Sequence, residues 1–317
     1  MKKKILFGYN FNKEGFKILE NQFELIYPDK QYYSKEELMT LIQDVDVLVP
    51  NFGYRTDKEI IDCGQNLKLI ANYGVGYDNI DAEYAATKNV VVTNTPDSVL
   101  EPTAELGFAL LLAAARKIGF YNSKLRTETG LKWGLYDNLG TMVYGKTLGI
   151  FGMGRIGQAM ARRAVASGMN IIYHNRHPLD KATEQKYSAR YVDFNTLVSE
   201  SDILSINAPA TPENIHIFNA EVFNKMKNKA ILVNVARGSL VDEVALAEAL
   251  RNDVIGAAGL DVFEHEPKIP AAFFDLDNVV LAPHAGTKTA ESRLDMQKEV
   301  AANILNFFDG KPVSRVN

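Results

Sequence analysis

The chain has 317 residues, more than a single hydrophobic core usually serves, which predicts two domains. Its hydrophobic content of 46% and charged content of 23% are ordinary for a globular protein. The net charge of −4 provides no basic field for nucleic acid and no polybasic anchor for a membrane surface, so we expect neither partner. The single cysteine, Cys63, excludes an intramolecular disulfide and a cysteine-rich zinc site and indicates a cytoplasmic protein; we assign no metal ligand.

The first part of the chain alternates short β-branched runs with helical patterns, an order typical of a parallel sheet covered by helices. The predicted strands lie at residues 4–7, 24–27, 45–49, 67–71 and 90–93. The first apolar run is too short for a signal peptide or a spanning helix. Two helices are predicted to begin at capping boxes, one formed by Ser34 and Glu37 and the other by Thr56 and Glu59.

A long apolar helix is predicted at residues 101–117. Its hydrophobic residues lie on most faces, so we expect it to be buried between domains or subunits. Its length is near that of a membrane span, but Glu105 and Gly107 interrupt it and favour a buried helix.

A second series of strands follows a loop-rich stretch at residues 127–144. These strands are predicted at residues 147–151, 170–174, 203–206, 230–234, 257–260 and 279–282. The fold class is therefore α/β, with two doubly wound parallel sheets. The last helix, at residues 288–308, is too long for a simple cap, and we expect it to return and pack on the first domain.

A glycine fingerprint follows the first strand of the second series. Gly152, Gly154 and Gly157 lie between this strand and a helical pattern, which is the context that dinucleotide binding requires. The first glycine makes the tight turn, the second lets the backbone approach a pyrophosphate, and the third lets the helix pack on the strand. The amides at Arg155 and Ile156 open the helix, whose dipole favours phosphate. A purely structural glycine turn is the alternative.

The end of the next strand bears on the choice between the two nicotinamide cofactors. A carboxylate that would bind the ribose 2′-hydroxyl of NAD is expected about 20 residues after the glycines, but the sequence has Asn175 and Arg176 there. Arg176 could pair with the 2′-phosphate of NADP. We therefore expect NADP to be preferred. The alternative is that Asn175 binds the ribose of NAD while Arg176 faces solvent.

Three polar residues follow strands of the second sheet, at the edge where doubly wound sheets bind ligands. They are Arg237, Glu266 and His284. Taken singly, each has a simpler interpretation, as a surface arginine, a loop carboxylate and a structural histidine.

Together with the glycine fingerprint, these segments resemble the D-isomer-specific 2-hydroxyacid dehydrogenase family. The matching motifs lie at residues 72–81, 93–96, 103–105, 145–149, 152–157, 233–242, 259–267 and 282–287. The resemblance implies two Rossmann-like domains with a cleft between them. Residues 1–99 and 287–317 would form the substrate-binding, flavodoxin-like domain, and residues 100–286 the dinucleotide-binding domain.

The resemblance and the glycine fingerprint together give a set of cofactor-binding residues. These are Thr103, Gly152, Gly154, Arg155, Ile156, Gly157, Asn175, Arg176, Ala208, Pro209, Val235, Ala236, Asp261 and Gly286. Asn214 stands where a second threonine is expected, which leaves one cofactor contact open.

The chemistry of 2-oxo acid reduction accounts for the three polar residues. Hydride transfer to C2 builds negative charge on the carbonyl oxygen, and His284 suits the role of proton donor because imidazole titrates near neutrality. Glu266 would stabilise the imidazolium, and Arg237 would bind the substrate carboxylate and polarise the carbonyl. The backbone amides around Val75 and Gly76 would bind the other carboxylate oxygen.

The substrate is less well defined than the reaction. The first-half motif looks closest to the glyoxylate and hydroxypyruvate reductase branch, and D-lactate, 2-ketogluconate or phosphoglycerate dehydrogenases remain alternatives. Asn51 and Phe52 should line the specificity pocket, where Phe52 and Tyr54 could accept a larger side chain or simply pack. Trp133 lies in a segment that forms a dimer arm in relatives, so we expect a homodimer. A nonenzymatic dinucleotide-sensing corepressor and a formate dehydrogenase are competing functions on the same scaffold.

Overall fold

The computed structural model describes residues 2–50 and 54–317, and the chain forms two compact units. Unit 1 comprises Met1–Val99 and Lys288–Asn317, and unit 2 comprises Leu100–Thr287. Each unit is built on one sheet in which every named strand pairing is parallel. The predicted fold class, α/β with two doubly wound sheets, is confirmed.

The sheet of unit 1 has five strands in the order β2-β1-β3-β4-β5. The strands are β1 (Lys3–Phe7), β2 (Phe23–Ile26), β3 (Val47–Val49), β4 (Leu69–Ala71) and β5 (Val91–Thr93). The helices are α1 (Lys35–Leu41), α2 (Lys58–Cys63), α3 (Ala82–Thr87) and the last helix of the chain, α11 (Ala290–Phe308). All five strand predictions are confirmed, with ends that differ by at most two residues.

Alternate residues of the unit 1 strands enter two separate cores, because successive side chains of a strand point to opposite faces. Ile5 packs in the core that holds Val300 and Ile304 of α11, whereas Leu6 packs in the core that holds Leu38 of α1. The predicted return of the last helix to the first part of the chain is therefore confirmed.

The capping residues of α1 and α2 show one prediction to be right and one to be wrong. The box at Ser34 is present, since Ser34 accepts from the N–H of Glu37 and the Glu37 side chain accepts from Ser34 N–H. Helix α2 instead begins at Asp57, whose carboxylate accepts from the N–H of Ile60. Thr56 lies one residue earlier, and its backbone N–H donates to the carbonyl of Asn79. Thr56 is thus bound to a neighbouring segment rather than capping the helix.

The sheet of unit 2 has seven strands in the order β12-β11-β10-β9-β6-β7-β8. The strands are β6 (Thr147–Phe151), β7 (Asn170–His174), β8 (Ala189–Tyr191), β9 (Ile203–Ile206), β10 (Ile231–Asn234), β11 (Ala257–Leu260) and β12 (Val279–Leu281). Six were predicted, and β8 was missed. Its three residues are too few to show a period, and Arg190 in its middle is exposed.

The helices of unit 2 cover both faces of this sheet, which gives it two cores as in unit 1. They are α4 (Leu100–Ala115), α5 (Ile118–Lys124), α6 (Arg155–Ala166), α7 (Lys181–Lys186), α8 (Phe194–Glu200), α9 (Ala220–Lys225) and α10 (Glu243–Arg251). Within unit 2, α4 packs against α6, β10 and β11, with Ala104 and Leu111 fully buried. Across the described residues, no helix has both the length and the apolarity needed to cross a membrane.

The order of the strands determines where a ligand can bind in unit 2. The chain runs outward from β6 through β7 to β8, and then crosses back to β9 on the other side of β6. Doubly wound sheets bind ligands at such a reversal, beyond the carboxyl ends of the two diverging strands. The loops after β6 and β9 meet at this point.

Candidate active site

The loop after β6 is shaped by glycines whose positions leave no room for a side chain. Gly152 has φ +92°, and a Cβ on it would lie 2.4 Å from the backbone nitrogen of Ala208, in the loop after β9. A Cβ on Gly157 would lie 2.4 Å from the carbonyl oxygen of Gly152. Gly154 has open space around its Cβ position and precedes α6 without any side-chain cap. The loop is therefore closely packed at Gly152 and Gly157 and open at Gly154, which precedes the N-terminus of α6.

The start of α6 fits a dinucleotide pyrophosphate. In contrast to α6, helices α7, α8 and α10 of the same unit begin with Asp180, Asp193 and Asp242, whose carboxylates accept from first-turn N–H groups. In the described part of the chain, the N-cap residue of α6, Gly154, provides no side-chain cap, and the helix dipole favours an anion there. The first-turn amides of α6, beside the open space at Gly154, could hold the phosphates of the cofactor, while Gly152 and Gly157 give the loop its close packing.

The first residue after β7, Asn175, is hydrogen-bonded to the glycine loop. Asn175 Oδ1 accepts from the N–H of Met153 at 2.7 Å, and the Asn175 carbonyl accepts from the Tyr191 hydroxyl at 3.2 Å. Arg176 follows and is exposed. Its charge acts on the carboxyl of Glu213, whose pKa is lowered chiefly by a hydrogen bond to Thr211 and to a smaller extent by Arg176.

Asn214, the departure noted in the sequence, shapes the loop after β9. Its Oδ1 accepts from the N–H of Thr211 at 2.7 Å and its Nδ2 donates to the carbonyl of Pro209 at 3.0 Å. Both polar atoms of its side chain thus have protein partners. Asn214 orients the residues that follow Ala208.

Arg237 lies in the loop after β10, where a buried asparagine fixes the backbone. Asn234 Nδ2 donates to the carbonyl of Arg237 at 2.8 Å, and Asn234 Oδ1 accepts from the N–H of Ala236 at 3.0 Å. One nitrogen of the Arg237 guanidinium donates to the Ala236 carbonyl at 2.7 Å. A Cβ on Gly238 would lie 1.9 Å from the carbonyl carbon of Phe263, so the loops that carry Arg237 and Glu266 are in backbone contact.

Glu266 and His284 are joined by a hydrogen bond, with Glu266 Oε2 2.7 Å from His284 Nδ1. The other carboxylate oxygen accepts from the N–H of Phe263 at 3.0 Å. Burial acts to raise the pKa of Glu266, but the bonds from His284 and Phe263 and the charge of Arg237 outweigh it, so the pKa is lowered. The carboxylate is therefore ionised at neutral pH. The His284 side chain is 52% exposed, and its Nε2 has no partner among the described residues.

A buried carboxylate, Asp261, holds the turn that carries His284. Its two oxygens accept from the N–H groups of Ala285 at 2.6 Å and Gly286 at 2.9 Å, and its carbonyl accepts from the N–H of His284 at 2.7 Å. Burial raises the pKa of Asp261, although these two N–H groups and His284 act to lower it. Gly286 also lies against Thr103, since a Cβ on it would be 3.1 Å from Thr103 Oγ1. The structure thus brings together Thr103, Asp261 and Gly286, three of the residues predicted to bind the cofactor.

A second histidine–carboxylate pair lies next to the Glu266 loop and was not assigned a role from the sequence. His216 Nε2 is 2.9 Å from Glu264 Oε1, and the N–H of Glu264 donates to Glu243 at 2.9 Å. Burial raises the pKa of Glu243. Because all three residues lie in separate segments of the chain, no local motif could have indicated their association.

Unit 1 contains the loop after β4, residues 74–76, which we call the amide loop. The backbone N–H groups of Val75 and Gly76 donate to no group among the described residues. Asn72 and Asn94, both buried, donate to carbonyls of this loop. Two adjacent free N–H groups can bind a carboxylate oxygen.

The expected specificity residues Asn51 and Phe52 lie outside the described residues. Tyr54, which is described, donates a hydrogen bond from its hydroxyl to the carbonyl of Tyr33 at 3.2 Å.

Comparison with known proteins relates both units to one family. The sequence profile described as "D-isomer specific 2-hydroxyacid dehydrogenase, NAD binding domain" matches residues 108–286. A glyoxylate reductase of Thermococcus onnurineus is 43% identical over 323 aligned positions, which cover 100% of this chain and 96% of the relative.

Two solved structures show the same architecture. The crystal structure of a glyoxylate reductase from Paecilomyes thermophila has a TM-score of 0.90 and 32% identity, and the match covers 99% of this chain and 98% of the other. The NADPH-dependent glyoxylate/hydroxypyruvate reductase of Sinorhizobium meliloti, in complex with NADP and malonate, has a TM-score of 0.87 and 32% identity, with 100% and 97% covered.

Proposed function

Because this chain belongs to the D-isomer specific 2-hydroxyacid dehydrogenase family, we propose that it reduces glyoxylate or hydroxypyruvate to the D-2-hydroxy acid with a nicotinamide dinucleotide. The observation that carries the proposal is the His284–Glu266 pair, which leaves one imidazole nitrogen free, in the same unit as the uncapped glycine loop. A nonenzymatic dinucleotide sensor would have no use for a proton donor held in this way.

The side chains divide the reaction between them. When bound, the dinucleotide supplies the hydride that reaches C2 of the substrate. His284 donates its Nε2 proton to the carbonyl oxygen, on which negative charge develops. Glu266 stabilises the imidazolium before transfer, and Arg237 binds the substrate carboxylate and polarises the carbonyl. The free amides of Val75 and Gly76 bind the second carboxylate oxygen.

The residues that would hold the cofactor are those of the glycine loop and its neighbours. The first-turn amides of α6 would bind the pyrophosphate, with Ala208 and Pro209 beside it. Val235 and Ala236 would contact the dinucleotide, and the cluster of Thr103, Asp261 and Gly286 would hold its nicotinamide end.

NADP is the cofactor that the residues after β7 favour. Asn175 Oδ1 already accepts from Met153, and no carboxylate follows β7 where the 2′-phosphate of NADP would bind. Arg176 is exposed beside this position and forms no ion pair with the described residues. A guanidinium there can bind the phosphate with charge-assisted hydrogen bonds.

A substrate panel tests the reaction. The purified enzyme, supplied with NADPH or NADH, should reduce glyoxylate and hydroxypyruvate with higher kcat/KM than phenylpyruvate or 2-ketogluconate. Chiral analysis should show that hydroxypyruvate yields D-glycerate. Absence of turnover with every 2-oxo acid in the panel would refute the proposal.

The role of His284 as proton donor predicts a loss of turnover. His284→Ala should lower kcat about 10²-fold or more while cofactor binding is retained, because the proton donor is lost. Measurement of kcat and of the dissociation constant of the cofactor checks this.

The His284–Glu266 pair predicts a specific pH dependence. In Glu266→Gln, the rate of reduction should decline at a lower pH than in the wild type, because the imidazolium has lost the anion that stabilises it. Glu264→Gln, which removes the neighbouring carboxylate paired with His216, is the matched control and should leave the profile in place. An unshifted profile in Glu266→Gln contradicts the assignment.

Arg176 predicts how the cofactor preference can be changed. Arg176→Gln should raise KM for NADPH by about 10- to 100-fold and leave KM for NADH nearly unchanged, because only NADPH carries the 2′-phosphate. Arg190→Gln, in the adjacent strand, removes an exposed arginine that pairs with Glu200 and serves as control. Equal effects of Arg176→Gln on the two cofactors would argue against this assignment.

A homodimer is the assembly that the surface of unit 2 favours. The segment of residues 131–144 exposes large apolar side chains, including Trp133 at 86%, Leu135 at 82% and Tyr136 at 81%. Contiguous apolar surface of this kind marks an interaction site. We place the enzyme in the cytoplasm, consistent with its single cysteine, Cys63.

Substitution of this segment tests the dimer. The double variant Trp133→Ser, Leu135→Ser should sediment as a monomer of about half the wild-type mass in analytical ultracentrifugation, because the apolar contact is lost. Ile18→Ser, at an exposed apolar residue of unit 1, is the control and should remain a dimer. A wild-type protein that sediments as a monomer would disprove the proposal.

A further inference from the structure

The carbonyl groups of the amide loop are fixed by two buried asparagines. Asn72 Nδ2 donates to the carbonyl of Gly74 at 3.0 Å and to that of Gly76 at 2.7 Å. Asn94 Nδ2 donates to the carbonyl of Val75 at 2.8 Å. All three consecutive carbonyls therefore accept hydrogen bonds from within unit 1.

These bonds determine where the free N–H groups point. In a trans peptide the C=O and the following N–H point in opposite directions. The bond that draws the Gly74 carbonyl toward Asn72 turns the N–H of Val75 away, and the bond from Asn94 to Val75 does the same for the N–H of Gly76. The N–H of Val75 is thus oriented by Asn72 together with the N–H of Thr95, which also donates to the Gly74 carbonyl at 3.0 Å. The N–H of Gly76 is oriented by the bond from Asn94 to the Val75 carbonyl.

Asn94 is in turn held by the C-terminal part of the chain. Its N–H donates to the carbonyl of Ser314 at 3.1 Å, and its carbonyl accepts from Asn303 Nδ2 at 2.9 Å. Asn303 Oδ1 accepts from the N–H of Ser314 at 3.1 Å. A continuous series of hydrogen bonds therefore runs from α11 to the carbonyl of Val75.

Asn303 occupies a position in α11 where an apolar residue would be expected. It is only 6% exposed and lies beside Ile304, with Val300 one turn earlier, and both of these are fully buried. Burial of an amide side chain costs free energy unless its hydrogen bonds are satisfied. Here the Nδ2 binds Asn94 and the Oδ1 binds Ser314, so the cost is offset by bonds that orient Asn94.

We propose that Asn94 and Asn303 are positioning residues that orient the N–H of Gly76, one of the two free amides of the amide loop, and thereby determine the affinity for the substrate carboxylate. The proposal rests on the proposed function, in which these amides bind a 2-oxo acid. It assigns to a buried residue of the last helix an effect on substrate binding, transmitted through Asn94 without contact between Asn303 and the substrate.

A purely structural role for this region is the alternative, and the chain offers a matched control for it. Asn317 also joins the C-terminal segment to the sheet: its Oδ1 accepts from the N–H of Val92 at 2.9 Å and its Nδ2 donates to the carbonyls of Ala82 and Val90. None of these bonds reaches Asn94 or the amide loop. Loss of Asn317 therefore tests attachment of the segment alone.

The experiment compares Asn303→Leu with Asn317→Ala in the full-length enzyme. In Asn303→Leu, KM for glyoxylate and the inhibition constant of oxamate, a non-reacting carboxylate, should rise about tenfold, because the Gly76 amide loses its orientation. The values of kcat and of KM for the nicotinamide cofactor should stay within about twofold of the wild type. Asn317→Ala should lower Tm and leave the oxamate inhibition constant unchanged.

Equal oxamate inhibition constants in Asn303→Leu and Asn317→Ala would overturn the proposal. If Asn303→Leu fails to fold, Asn94→Ala serves instead, since it removes the bond to Val75 and leaves α11 intact; an unchanged oxamate constant in that variant overturns the proposal equally. The proposed function fails separately, if the wild-type enzyme reduces no 2-oxo acid. In the wild type, the NMR signals of the Val75 and Gly76 amides should shift when oxamate is added, and unshifted signals would also count against the proposal.

Discussion

The pairing of His284 with Glu266 is the interaction on which the rest of the active site depends. An imidazole that is half exposed has little packing to hold it, so its orientation must come from hydrogen bonds. One comes from Glu266, at 2.7 Å. The other constraint is on the backbone, where the buried carboxylate of Asp261 accepts from both N–H groups that follow His284. The buried Asp261 thereby fixes the position of the exposed His284.

Close backbone contacts between loops explain why glycines occur where they do in unit 2. The loops after β6 and β9 touch at Gly152, and the loops that carry Arg237 and Glu266 touch at Gly238. Any side chain at either glycine would separate the loops, and with them the residues that act together. At the start of α6, Gly154 provides no side-chain cap, which suits the phosphate site proposed there.

Buried amide side chains serve the same purpose in both units. Asn234 fixes the backbone at Arg237, and Asn72 and Asn94 fix the carbonyls of the amide loop. Each lies in or directly after a strand and is buried, where apolar residues would pack as well. In each case the polar side chain binds backbone groups of a loop, and the loop in turn presents a charged or donor group toward a ligand. These hydrogen bonds restrict the loop backbone to one conformation relative to the sheet.

Much of this protein could be predicted from the sequence because the signals are local. Buried parallel strands are continuous β-branched runs, so eleven of the twelve strands were located, and the glycine spacing between β6 and α6 indicated a dinucleotide site. Arg237, Glu266 and His284 could be proposed from the sequence because each follows a strand within a family motif. Two predictions failed. Strand β8 was missed because three residues are too few to show a periodic pattern, and the cap of α2 was placed one residue too early, which is within the usual uncertainty of helix ends.

Only the tertiary structure could decide which distant residues meet. Asn303 and Asn94 are 209 residues apart, and Glu264 and His216 are 48 apart, so no spacing rule links either pair. Asn214 is a departure from the family pattern in sequence, and only the folded loop shows that it binds Pro209 and Thr211. Sequence determines local conformation through side-chain shape and backbone preference, whereas hydrogen bonds between remote segments exist only once the sheets have brought those segments together.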